Sequence, residues 1–75
     1  MVKVTLSTIE SRNQVMASEG ATVKEVLQEN NVTYSGATIM IDGMILNAET
    51  VNRTLSQLSV GDECTISVTV KMDNA

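Results

Sequence analysis

The sequence predicts an α+β fold: a mixed sheet of four to five strands with one helix packed on one face. Three observations predict it. Val2-Lys3-Val4-Thr5-Leu6-Ser7 and Cys64-Thr65-Ile66-Ser67-Val68-Thr69-Val70 alternate strictly between apolar and polar residues, the period of half-buried strands. Between them, Thr22-Val23-Lys24-Glu25-Val26-Leu27 has a helix start signal and helical spacing. Asp42-Gly43 separates two short apolar runs, a strong hairpin signal because both turn residues tolerate positive φ. Strands and one helix in a chain this small must bury their apolar faces against each other.

The first strand directs Val2, Val4 and Leu6 inward and Lys3, Thr5 and Ser7 outward. Glu10-Ser11-Arg12-Asn13 is polar and turn-like, and Gln14-Val15-Met16-Ala17 returns as a weaker strand with Val15 and Ala17 on one face. Gly20-Ala21 ends it. Thr22 and Glu25 form a capping box, in which the hydroxyl accepts from the Glu25 amide and the carboxylate reaches back. Val23, Val26 and Leu27 then share a face, and Asn30-Asn31 suits a left-handed stop. A helix of about nine residues is too short to survive alone, so it packs on the sheet.

Ser35-Gly36 is a loop, Thr38-Ile39-Met40-Ile41 the third strand and Met44-Ile45-Leu46 the fourth. Residues 47–53 read as polar and irregular. Leu55 and Leu58 fit one helical turn, and Val60-Gly61-Asp62-Glu63 is the last corner. The final strand runs from Cys64 to Met72. The expected core is Val2, Val4, Leu6, Val23, Val26, Leu27, Ile39, Ile41, Leu46, Leu55, Leu58, Ile66 and Val68. The face away from the helix carries Lys3, Thr5, Ser7, Met40, Thr65, Ser67, Thr69 and Lys71.

Composition narrows the function classes. The chain has 75 residues and reads as one domain, 1–75, with one Tyr and neither Phe nor Trp. Its core must therefore come from aliphatic residues and Met. Net charge is −4, and the five cations Lys3, Arg12, Lys24, Arg53 and Lys71 are scattered. Nucleic-acid binding needs them clustered. Cys64 is the lone cysteine and there is no His, which excludes zinc sites built on those ligands and Ser-His triads. Cys64 alternates with Ile66 and Val68 and follows two acids, so it reads as a small buried hydrophobe rather than a reactive thiolate. Glu25 and Glu29 share a helix face, and Asp62-Glu63 sits in a corner. A short helix on a small sheet offers the first pair no deep cleft of the kind catalytic carboxylates require, and the second reads as a turn and strand entry. Glycines stand apart at 20, 36, 43 and 61, so no phosphate-cradling loop is present. No stretch reaches the 18 or so apolar residues of a membrane span, and no signal peptide is evident. The expectation is a cytoplasmic, non-enzymatic chain without cofactor, metal or membrane contact.

The element order ββαββ, helical turn, β resembles the β-grasp fold of the ubiquitin-like family, including its prokaryotic members. Residues 2–9 look like ubiquitin's opening strand and turn. Ala21-Thr22-Val23-Lys24-Glu25-Val26-Leu27 resembles the helix opening of small sulfur carriers. Ile39-Met40-Ile41-Asp42-Gly43 resembles the strand and Gly turn of both groups, and Leu55-x-x-Leu58-x-x-Gly61-Asp62 their final corner. The resemblance implies that the first and last strands are adjacent and parallel at the sheet's centre. It also implies recognition by a protein partner through an apolar patch on the sheet face. Carried over, the patch centre falls on Met40, the first-hairpin member on Ile9 and the last-strand member near Ser67 or Thr69. With the face assignment above, the expected protein-binding residues are Ile9 and Met40, rimmed by Lys3, Thr5, Thr69 and Lys71.

The family's alternative role is that of a sulfur carrier or covalent modifier activated at a Gly-Gly terminus. Asp73-Asn74-Ala75 stands where that terminus is expected, which disfavours the alternative. The Val15-Met16 and Met44-Ile45-Leu46 strands are the candidate sheet edges. Neither carries a proline guard, so homodimerisation through an edge is open to the chain.

Overall fold

The computed structural model describes residues 1–32 and 36–70. Its elements are β1 (Val2–Thr8), β2 (Arg12–Ala17), α1 (Val23–Glu29), β3 (Ala37–Ile41), β4 (Met44–Leu46), a 3-10 turn over Thr50–Asn52, and β5 (Glu63–Val70). The five strands form one sheet in the order β2-β1-β5-β3-β4. As expected, β1 and β5 are adjacent and parallel, with Val4 beside Cys64 and Leu6 beside Ile66. The other pairings are antiparallel.

Alternation determines what is buried. Val2, Val4, Leu6, Ile39, Ile41, Leu46, Cys64, Ile66 and Val68 form the sheet's side of the core, and Val23, Val26 and Leu27 the helix's side. The α1 capping box forms: the Glu25 amide donates to Thr22 Oγ1 at 3.0 Å, and the Thr22 amide donates to Glu25 Oε1 at 3.3 Å. The helix has seven residues, shorter than the sequence suggests. At its end, Asn30 Nδ2 donates to the Val26 carbonyl at 2.7 Å, drawing a side chain into the last turn. Asn31 then takes φ 58°, the left-handed stop expected there.

Residues 47–53 are more ordered than their polarity suggests. Asn47 Oδ1 accepts from the Glu49 and Thr50 amides at 2.9 and 2.8 Å, starting the 3-10 turn that buries Val51. Leu58 lies half-buried at the margin of the core, whereas Leu55 is fully enclosed. Their turn has its own reciprocal cap. Gln57's amide donates to Thr54 Oγ1 at 3.0 Å, and Thr54's amide to Gln57 Oε1 at 2.9 Å. The Leu55 and Ser56 amides bond the Ala21 and Glu19 carbonyls, each at 2.9 Å. This ties the helix entry to the last corner and leaves the opposite sheet face uncovered. The expected extension of the last strand through Lys71 and Met72 lies outside the described residues.

Candidate functional site

The uncovered face follows from register. Residues directly opposite across a sheet share a face. One row therefore crosses all five strands: Arg12, Ser7, Ser67, Met40 and Ile45. A second contains Gln14, Thr5 and Thr65, a third Met16, Lys3 and Glu63, and a fourth Thr38 and Thr69. The neighbours of these residues along each strand, Val4, Leu6, Ile39, Ile41, Ile66 and Val68, point into the core.

The centre of this face is small and uncharged, with Thr65 and Ser67 on β5. The face's apolar residues are the cross-strand pair Met40–Ile45 and, at the opposite edge on β2, Met16. Met40 is half-buried and Ile45 is 68% exposed. The Asp42-Gly43 turn creates the pair. Asp42 has φ 48° and Gly43 φ 86°, so a two-residue hairpin closes on Ile41 and Met44 and sets Ile45 against Met40. Asp42 also anchors the turn to β5. Its Oδ1 accepts from the Thr65 amide at 2.9 Å, and its own amide donates to the Thr65 carbonyl at 2.9 Å.

Of the residues expected from the sequence, Lys3, Thr5, Met40 and Thr69 lie on this face. Lys3 is at one end, beside Glu63, two rows from Met40. Thr69 is at the other end. Ile9 is 71% exposed in the turn after β1, at the Thr69 end. It borders a groove of about 420 Å3 whose walls include Leu6, Val15, Val32 and Val68, residues on the helix side of the sheet. Lys71 lies outside the described residues. Ile45 is the apolar neighbour of Met40 that the sequence analysis does not place on this face. The signal was present, because a two-residue Asp-Gly turn fixes Met40 opposite Ile45.

The chemistry of the remaining side chains is restrained. Cys64 is buried, and its thiol is pushed up to about 11, first by burial and then by the nearby Asp42 carboxylate. At neutral pH it is a protonated, unreactive side chain. Among the described residues, no group of three or more His, Cys, Asp or Glu is placed to hold a metal ion. No helix among them is long and apolar enough to cross a membrane.

No protein-family model matches the chain, and no curated protein sequence matches it. Solved structures do. The ubiquitin of Caldiarchaeum subterraneum superposes with a TM-score of 0.69 at 16% identity, covering 99% of this chain and 98% of that one. A ubiquitin-like protein from Trypanosoma brucei gives 0.66 at 15% identity, covering 93% and 94%. Another solved structure, of a ubiquitin-like protein from the hyperthermophilic Caldiarchaeum subterraneum, gives 0.60 at 16%, covering 97% and 100%. Such low identities speak to fold alone. With the five-stranded mixed sheet and the single helix on one of its faces, they establish that this chain has the ubiquitin-like β-grasp fold.

Proposed function

We propose that this chain is a non-catalytic protein-interaction module, recognised through the open face of its sheet. The observation that carries the reading is the Met40–Ile45 pair. An aliphatic side chain that is 68% exposed on a sheet face gains little for folding. Placed beside a flexible methionine, it supplies an adaptable apolar contact. Thr38, Thr65, Ser67 and Thr69 surround the pair with short polar side chains that a partner can hydrogen-bond without desolvating charge. The partner this face suits is a protein surface with one apolar projection and uncharged polar neighbours. Lys3 and Thr5 continue the face away from the Thr69 end, and Ile9 stands exposed in the turn beyond that end, beside the helix-side groove. In this reading the domain spans residues 1–75, uses no cofactor and works in the cytoplasm.

The test is comparative capture. Wild-type protein and the Ile45→Asp and Met40→Asp variants are used as baits in lysate of the source organism, with folding checked by circular dichroism. Partners enriched by the wild type and lost with folded Ile45→Asp support the reading. Undiminished capture by both variants contradicts it. The competing role, activation at the C-terminus, is tested by incubation with an activating enzyme and ATP. A terminal adenylate or thiocarboxylate in the intact mass would replace the proposal.

A further inference from the structure

We infer that the β2 edge of the sheet is a self-association surface, on which a second copy of this chain adds antiparallel to continue the sheet. The two edges differ. β4 has three residues, and its hairpin turns Met44 and Leu46 toward β3, which leaves Ile45 alone to offer an outward amide. β2 has six residues, paired with β1 in unbroken register from Arg12 to Ala17. It carries no bulge and the chain contains no proline, so two of the usual edge guards are missing and Arg12, at its first position, is its one charged residue.

The direction of each β2 backbone group follows from its partner. The Thr8 amide donates to the Ser11 carbonyl at 2.8 Å. The ladder then alternates, and Asn13, Val15 and Ala17 face β1. The Lys3 amide is taken by Asp62 at 2.8 Å, on the side away from Met16. Arg12, Gln14 and Met16 are therefore left with amides and carbonyls aimed outward. Met16 is also 58% exposed.

Charge order and face parity select a second copy as the occupant. Arg12 opens the strand and Glu19 follows its end. A parallel copy would set like charges level, whereas an antiparallel copy sets Arg12 against the opposite end. A continuous sheet also requires that opposed residues share a face. One register that satisfies both puts Val15 opposite its own copy on the two-fold axis. Gln14 then faces the partner's Met16, and Arg12 faces the partner's Ser18, next to the partner's Glu19. Val15 is half-buried and on the core side, opposite Val4. It falls at a non-hydrogen-bonded pair, where side chains approach most closely. The apolar layer thus continues across the axis while four to six outward backbone groups find partners.

The contact is small, so the association is weak and concentration-dependent. Sedimentation equilibrium of the full chain from about 10 μM to about 1 mM brackets such interfaces. The mass is expected to rise from 8.1 kDa toward twice that value. Gln14→Pro removes an outward amide without touching the β1 ladder and should abolish the rise. Arg12→Glu should weaken association at least several-fold, and Arg12→Glu combined with Glu19→Arg should restore it. The charge variants keep the test decisive if the proline variant fails to fold. A monomer at every concentration overturns the inference. So does a dimer indifferent to the charge exchange, or one lost on Ile45→Asp and retained by Gln14→Pro.

Discussion

Replacing Leu27 by Ala tests the packing that supports everything above. Leu27 is fully enclosed, 0% exposed, on the face of α1 that meets the sheet. Truncation removes three carbon groups, worth roughly 2.4 kcal/mol at about 0.8 kcal/mol per buried methylene. The seven-residue helix is clamped at its N-terminus by the Thr22–Glu25 box and the Val23 amide bond to Arg53. It cannot collapse freely into the vacated space, so a cavity term adds to the loss, for a total of about 3–5 kcal/mol. A chain of this length is stable by roughly 4–11 kcal/mol. The variant should therefore retain only a small stability margin or be substantially unfolded at room temperature. Urea titration followed by far-ultraviolet circular dichroism reads this directly, with the same slope and a much lower midpoint. A loss below about 0.5 kcal/mol would mean that α1 is not docked as described.

Thr22→Ala removes the acceptor for the Glu25 amide and should cost about 1 kcal/mol by the same titration. Adding Glu25→Ala should cost less than the two single losses together, because both bonds belong to one reciprocal cap. Gly43→Ala should destabilise by about 1–2 kcal/mol. A new Cβ there meets nothing within 4 Å, so the cost is purely that of φ +86° in an L residue. Gly20→Ala, without that φ, should be neutral or slightly stabilising. The Cys64 thiol titrates at about 11 in the fold against 9.0 for a free thiol. Between those pH values the unfolded chain gives up a proton that the folded chain keeps. The thiol's contribution is whole below pH 9.0 and is lost as pH rises through 11. The stability gap between wild type and Cys64→Ala should therefore narrow across that range. A constant gap would show that the thiol is not buried.

The parts of the fold legible in the sequence are those where local pattern and tertiary environment agree. Val2, Val4 and Leu6 alternate because one sheet face is covered and the other is not. Thr22 and Glu25 announce a helix start because the cap is made within four residues. Val51 was hidden because one apolar residue among polar neighbours has no period. Its burial comes from Asn47 accepting two amides and turning the chain. Leu58 has the spacing of a core residue but sits at the margin, because in a single short turn Leu55 takes the enclosed position and Leu58 is left half-buried. The candidate face was half legible. Alternation places Met40 on it, while Ile45 enters only when the Asp42-Gly43 turn is converted into a register. Ile9 borders the groove on the helix side, a placement set by the turn after β1, where alternation ends.

The central claim is that the uncovered sheet face is the recognition surface. Its most direct test is a heteronuclear NMR titration of labelled protein with a partner captured by the wild type. The largest amide shifts are expected on Met40, Ile45, Ser67 and Thr69, spreading to Thr5 and Thr38, with Lys24, Gln28 and Glu29 on the far side of α1 unmoved. Shifts centred on α1 and its neighbouring turns, with Met40 and Ile45 unchanged, would contradict that claim.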